Sequence, residues 1–151
     1  MQATKFRIGN TVMARGEAAK IVGIRTDTDE PCFLCDNSDV WIPNIGSIPL
    51  TAEILEASGF RMNQDRTYGV FNVVFYPYGD GSEELEIHIV VDLEKPHLSE
   101  FEHQYTIEGR RRLYSKSYEG NITTVDELEN VAEMCGCEFN VIISNENPQS
   151  L

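Results

Sequence analysis

The chain has 151 residues, of which 41% are hydrophobic and 25% are charged; this size and composition can bury a core, which excludes a disordered or fibrous protein. Its 25 acidic residues against 12 lysines and arginines give a formal net charge of -13, which argues against non-specific binding to nucleic acid and against attachment to an anionic membrane. The charge permits a basic protein partner and keeps the chain soluble, with mimicry of nucleic acid as an alternative interpretation.

The apolar runs of the sequence are shorter than a membrane-spanning helix, and the N-terminus carries no apolar segment of the secretory kind. We therefore expect a cytoplasmic protein. Thiols stay reduced in that compartment, so structural disulfides are not expected.

Residues 1–50 show short strands separated by turns. β-branched and apolar residues in Phe6–Arg15 and Ala19–Arg25 flank a glycine, which predicts a hairpin, and apolar stretches at Cys32–Cys35 and Val40–Ile45 follow after polar turns. This spacing predicts a small SH3-like β-barrel.

A short helix is predicted next. Thr51 can cap its start, Glu53 lies in the first turn, and Gly59 supplies the left-handed residue that ends many helices. Phe60 follows the glycine, where an apolar residue commonly folds back onto the last turn.

The middle of the chain has the clearest strand pattern. Alternate residues are apolar in Val70–Tyr76 and in Glu84–Leu93, and Gly79–Ser82 is predicted to join these two strands as a hairpin. A second strand pair is predicted over Gln104–Ile107 and Arg111–Tyr114.

A longer helix is predicted to pack on this sheet. Thr124 and Glu127 form a capping box, Asp126 adds negative charge to the first turn, and Gly136 is a natural stop. A last strand is predicted over Phe139–Ile143. The apolar residues at helical spacing are Val125, Leu128, Val131, Ala132 and Cys135.

These elements predict the fold class α+β, because runs of strands are followed by a helix rather than alternating with helices. We expect a single compact domain over residues 1–151. Its predicted parts are the β-barrel at 1–50, an antiparallel sheet with helices at 51–143, and a frayed polar tail at 144–151.

Four cysteines form two close pairs, Cys32 with Cys35 and Cys135 with Cys137. The first pair has the spacing of zinc ligands, and the second would complete four sulfur ligands if the fold brought the pairs together. The second pair has one intervening residue and Cys135 belongs to the apolar helix face, so burial of the thiols in the core is the favoured interpretation. We expect no cofactor, with zinc as the alternative.

A run of arginines, Arg110, Arg111 and Arg112, is the other candidate binding site. Guanidinium groups bind oxyanions through paired hydrogen bonds, so the run can hold a phosphate, a nucleotide or an acidic partner. Pairing with nearby carboxylates is the simpler interpretation, and no glycine-rich phosphate loop accompanies the run.

No residue pattern predicts catalysis. His88 lies on the polar side of a predicted strand, and the acidic residues around Glu84 are typical of a solvent-facing surface. Tyrosines are concentrated in the second half, where they can form a binding face on the sheet. They are Tyr68, Tyr76, Tyr78, Tyr105, Tyr114 and Tyr118.

Several short segments carry a resemblance to known proteins: they are Phe6–Asn10 with Val12, Ile21–Ile24, Ile48–Thr51 with Ile54, Leu55, Gly59 and Phe60, and Val125–Asn130. They resemble a family of small uncharacterised proteins of phages, prophages and mobile elements in gut Bacteroides-type bacteria. Asp126 stands where that family commonly has histidine, and Glu129 where it has glutamine. The resemblance implies a mobile-element setting and transfers no catalytic residue.

Together these features predict a non-enzymatic accessory protein that binds a host or phage macromolecule through an acidic, tyrosine-rich surface. The oligomeric state is left open by the sequence, because edge strands can pair between chains or be blunted by charge. The alternative function is binding of a small phosphate or nucleotide ligand, or of zinc.

Overall fold

In the residues that the structure describes, the fold class is α+β, as predicted, with two antiparallel sheets, two α-helices and a short 3-10 helix, Pro96–Leu98. The structure, a computed structural model, describes residues 4–76, 79, 83–107, 110–134 and 141–143, and at 75, 103–107 and 110–119 it describes the backbone alone. None of the described helices has the length and hydrophobicity needed to cross a bilayer.

The first sheet contains β1 (Thr11–Ala14), β2 (Glu17–Arg25) and β3 (Cys32–Cys35) in that order. The predicted hairpin between β1 and β2 is confirmed. Its two-residue loop, Arg15 and Gly16, has φ angles of 57° and 83°, the pair of positive values that suits the twist of the flanking strands.

The hydrogen-bonded strands of the first sheet form an open sheet in the part of the chain that the structure describes. Isolated bridges join Met13 to Gly46 and Phe33 to Ile42. The stretch predicted as a strand over Val40–Ile45 therefore contributes a single bridge at Ile42. The buried core of this sheet consists of Val12, Ala14, Ala19, Ile21, Phe33 and Cys35.

The first helix, α1 (Ala52–Ala57), begins and ends as predicted. The Thr51 hydroxyl accepts a hydrogen bond from the Ile54 amide at 3.2 Å. At the other end Gly59 has a φ of +102°, and the Phe60 amide donates back to the Leu55 carbonyl at 2.9 Å. This is the Schellman arrangement, which turns Phe60 onto the helix.

The second sheet has five strands in sequential antiparallel order. Only Gly79 of the predicted hairpin turn Gly79–Ser82 is described. Both strand pairs are confirmed, and the second pair is longer than predicted. The strands are β4 (Arg61–Met62), β5 (Tyr68–Phe75), β6 (Glu83–Asp92), β7 (Glu100–Ile107) and β8 (Arg110–Glu119).

The second helix, α2 (Val125–Met134), starts at the predicted cap. The Glu127 amide donates to the Thr124 hydroxyl at 3.4 Å, and the Glu127 carboxylate accepts from the Thr123 amide at 3.2 Å, one residue further back than a capping box requires. The predicted stop at Gly136 lies outside the described residues. Val141–Ile143 lie in no strand, so that part of the predicted last strand is wrong, and 139–140 lie outside the described residues.

One face of the second sheet carries the main core. The helices α1 and α2 contribute buried apolar residues to this face, including Leu55, Val125 and Leu128 at 0% exposure. Cys135, predicted on the same helix face, lies outside the described residues. The buried sheet residues of this core are Ile87, Ile89, Val91 and Phe101.

Candidate interaction surface

The second sheet has a face directed away from the helices, which we call the outer face. Because side chains alternate across a strand, the odd-numbered residues of β6 enter the core and the even-numbered ones belong to the outer face. The register pairs Val70 of β5 with Val90 of β6, and His88 of β6 with Glu102 of β7. Even-numbered residues of all three strands therefore share one surface.

One side of the outer face is apolar, and we call it the apolar stripe. It consists of Tyr68, Val70, Val74 and Tyr76 along β5 and just beyond it, with Val90 beside Val70. Asn72 interrupts the stripe beside His88, and Arg61 of β4 borders it beside Val70. Tyr68, Val74 and Tyr76 are 42%, 44% and 55% exposed. Three large apolar side chains exposed along one strand form a patch of the kind that marks interaction surfaces.

The neighbouring side is acidic, and we call it the carboxylate stripe. It consists of Glu84, Glu86 and Asp92 of β6 and Glu100 and Glu102 of β7. These side chains are partly exposed. Negative charges concentrated on adjacent strands repel one another and attract a cationic partner.

Contacts within the outer face moderate this charge. The His88 Nε2 lies 2.9 Å from the Glu86 carboxylate, and both side chains are partly exposed, at 36% and 28%. The Asp92 carboxylate accepts hydrogen bonds from the amides of Glu94 and Lys95 at 3.0 and 2.8 Å, which caps the turn that follows β6. At the edge strand, Lys116 is paired with Glu102 in the backbone register.

The predicted arginine site lies at the start of β8. Arg110 is paired with Ile107, and Arg111 is paired with Thr106. The register then shifts, which leaves Arg112 between the partners of Thr106 and Tyr105 as the extra residue of a β-bulge. The three side chains lie outside the described part of the structure, so the prediction that they bind an oxyanion stays a prediction.

The first cysteine pair lies at the two ends of β3. Cys35 is 2% exposed and Cys32 is only partly buried, which places the two side chains on opposite faces of the strand. Burial, reinforced by Asp36, raises the pKa of the Cys35 thiol. The burial predicted for the thiols therefore holds for Cys35, and one zinc ion bound by both thiols would need a local change of β3.

The second cysteine pair, Cys135 and Cys137, lies outside the described residues. Among the side chains that the structure describes, no group of three or more histidines, cysteines or carboxylates is arranged to hold a metal ion. The prediction of four sulfur ligands for zinc is therefore not tested.

A polar contact joins α2 to the first sheet, and sequence reasoning missed it. The Glu129 carboxylate accepts hydrogen bonds from the amide and the hydroxyl of Thr11 at 2.7 and 2.8 Å. The Asn10 side-chain amide donates to Asn130 at 2.8 Å. Burial raises the pKa of Glu129, although the hydrogen bonds from Thr11 oppose the shift. These side chains are separated by more than a hundred residues, so no local pattern predicts their meeting.

Asp126 lies in the same contact and is 1% exposed. One carboxylate oxygen lies 3.7 Å from the Lys5 ammonium, and the other has no hydrogen-bond partner among the described residues. The sequence predicted this residue in the first turn of a helix, which is correct, but gave no signal of its burial.

A shallow cleft of about 260 Å³ lies beside the first sheet. Phe6 and Phe33 meet edge to face in it, with ring centroids 5.8 Å apart. Phe33 is only 3% exposed, so this pair acts chiefly as core packing. The lining residues are Thr4, Phe6, Glu30, Pro31, Phe33, Pro43 and Ile45.

The outer face thus combines exposed apolar side chains with a group of carboxylates. Small ligands bind in concave pockets, whereas exposed apolar and charged surfaces are typical of macromolecular interfaces. No family model, curated protein or solved structure matches the chain.

Proposed function

We propose that this protein is a non-enzymatic accessory protein that binds a basic protein through the outer face. The observation that carries the proposal is the apolar stripe lying directly beside the carboxylate stripe, on a sheet face that the described helices leave uncovered. A partner with apolar and cationic side chains in adjacent rows would satisfy both stripes at once.

The two stripes would contribute differently to binding. Burial of apolar surface stabilises a complex by about 25 cal/mol per Å², and a tyrosine at the centre of an interface often contributes about 2 kcal/mol or more. Tyr68, Val74 and Tyr76 are therefore expected to carry most of the affinity. The carboxylates are expected to speed association and select the charge of the partner.

The proposed setting is a phage or mobile element inside a bacterial cell, and its basis is the family resemblance. The resembling segments lie together in the fold: Asn10 is hydrogen-bonded to Asn130, and the Val125 amide donates to the Ile48 carbonyl at 2.8 Å. A shared structural role of these segments supports a common scaffold. The outer face lies outside them and is free to differ between members.

The SH3-like barrel is likewise proposed for the first sheet. The bridges from Met13 to Gly46 and from Phe33 to Ile42 support it, because the segment between Ile42 and Gly46 touches both edge strands of the sheet. This arrangement is the one by which a fourth strand would close a small barrel.

Photo-crosslinking tests the proposed binding surface. A benzophenone amino acid in place of Val74 is expected to capture a basic protein from a bacterial lysate, and the charge reversals Glu86→Lys and Glu102→Lys in the same chain are expected to abolish that capture. The matched control reverses the same number of charges on the first half of the chain, Glu17→Lys with Asp39→Lys, at two exposed positions.

The control variant should retain the crosslink, because its two substitutions leave the outer face unaltered. The same probe at Ile8, which is 63% exposed and lies far from the outer face in sequence, measures non-specific capture. Equal crosslinking from Val74 and Ile8, or loss of the crosslink in both charge-reversed variants alike, would contradict the proposal.

A further inference from the structure

We infer that the partner presents an amphipathic α-helix to the outer face, with its apolar side on the apolar stripe and its basic side over the carboxylate stripe. This inference rests on the proposed function and specifies the partner of the same surface. It follows from the dimensions of the two stripes, from backbone hydrogen bonding and from charge.

The dimensions of the apolar stripe match a helix. Nine residues from Tyr68 to Tyr76 span roughly 27 Å at about 3.4 Å per residue of strand. A helix rises about 1.5 Å per residue, so about 18 residues would cover the stripe. Adjacent strands are about 4.8 Å apart and a helix with side chains is about 10 Å wide, so a helix lying over β5 and β6 covers about two strands and has β7 beside its flank.

Backbone hydrogen bonding favours a helix over an extended segment. The strands β5, β6 and β7 beneath the outer face are already hydrogen-bonded to one another. The face therefore presents side chains rather than unpaired backbone groups. An extended segment lying on it would bury its own amides and carbonyls without partners, which is costly. A helix satisfies these groups internally, which is why helices commonly cover sheet faces.

The two α-helices of the described residues both lie on the opposite face. Leu55 of α1 and Leu128 of α2 belong to the core cluster there, with Ile87 of β6. The described end of the chain is on that side too, because Val141 and Ile143 pack against the same cluster and the Ile142 amide donates to Ser58 at 2.9 Å. A helix on the outer face would therefore complete a three-layer arrangement.

The charge of the outer face determines which kind of helix would bind it. The carboxylate stripe has five carboxylates. His88 lies 2.9 Å from one of them, Glu86. The whole chain adds a formal net charge of -13. Lysine or arginine along the flank above β6 and β7 would be attracted to this surface, and glutamate at those positions would be repelled.

Three synthetic peptides test the inference on the full chain. The first has 18 residues, with leucines at helical spacing along one face and lysines on one flank. The second has the same composition in an order that removes the apolar face. The third is the first with every lysine replaced by glutamate. Calorimetry measures affinity, and amide chemical shifts locate the contact.

The first peptide is expected to bind at least roughly tenfold more tightly than either of the others, with shifts concentrated on β5 and β6. Val74→Asp, which places a carboxylate within the apolar stripe, should weaken that binding by roughly tenfold or more. Val40→Asp is the matched control, because Val40 is also exposed, at 55%, and lies beside the first sheet; it should leave the affinity within about twofold.

Equal binding of the first two peptides at the outer face would overturn the helical partner and leave the proposed binding of a basic protein standing. Equal binding of the first and third would overturn the role of the carboxylate stripe. Absence of binding, or shifts confined to other surfaces, would overturn both the inference and the proposed function.

Discussion

Glu129 shows how a single carboxylate can hold two parts of this fold together. Both of its oxygens accept hydrogen bonds from Thr11, although burial disfavours its charge. Glu129→Ala would leave the Thr11 amide without its partner and is expected to cost about 1–3 kcal/mol of unfolding free energy. Glu129→Gln can keep both contacts, because its amide oxygen accepts from the Thr11 amide and its amino group donates to the Thr11 hydroxyl.

The pH dependence of the unfolding free energy separates the effect of the Glu129 charge from that of its hydrogen bonds. Since the pKa of Glu129 is raised in the folded state, the folded protein binds more protons there, and stability is lost as pH rises from the usual value of 4.5 through the raised one. Glu129→Gln removes this loss. Urea unfolding at several pH values should therefore show that the stability of the glutamine variant increases relative to that of the natural chain as pH rises. A difference that stays constant with pH would show that the charge is unimportant.

At the scale of the element, the end of α1 gives a direct test of backbone conformation. Gly59 has a φ of +102°, and a β-carbon added there would lie 3.0 Å from the Phe71 ring. Gly79→Ala is the control, because Gly79 also has a positive φ, +72°, but nothing within 4 Å of an added β-carbon.

Gly59→Ala is expected to cost about 1–3 kcal/mol, more than Gly79→Ala, since it adds a contact with Phe71 to the backbone strain. Thermal or urea unfolding measures both. If the two variants lose equal stability, the tight approach of Phe71 has no energetic consequence.

The ends of the helices are features that the sequence could predict. The cap at Thr51, the stop at Gly59 and the start of α2 at Thr124 depend on neighbouring residues, and all three are confirmed. Alternation of apolar residues also predicted the strand pair that carries the outer face. Burial of Asp126 and its approach to Lys5 depend on contacts across the whole chain, which one sequence does not reveal.

The candidate surface was only partly predictable for the same reason. The sequence indicated an acidic, tyrosine-rich sheet, and Tyr68 and Tyr76 are exposed on it. The strand register then determines that Glu102 lies beside His88. Register depends on pairing between strands, so the adjacency of the apolar and carboxylate stripes could not be read from either strand alone.

At the scale of the whole molecule, the carboxylate stripe should weaken the fold that displays it. Glu86 and Glu102 are diagonal neighbours, because Glu102 is paired with His88, two residues from Glu86. Like charges at such positions cost about 0.2–1 kcal/mol, and the formal net charge of -13 adds repulsion throughout the chain. Neutralising both with Glu86→Gln and Glu102→Gln is therefore expected to raise Tm by about 1–4 °C at low salt.

The matched control, Glu17→Gln with Asp39→Gln, removes the same total charge from two exposed positions and should raise Tm less. Salt at about 0.3 M should shrink the difference between the two variants, because it screens exposed charges. The outer-face variant should also lose affinity for the basic helical peptide, since those carboxylates attract it. A higher Tm together with weaker binding would mean that these carboxylates lower stability but are needed for recognition. Equal Tm in the two variants would show that the carboxylates do not lower stability.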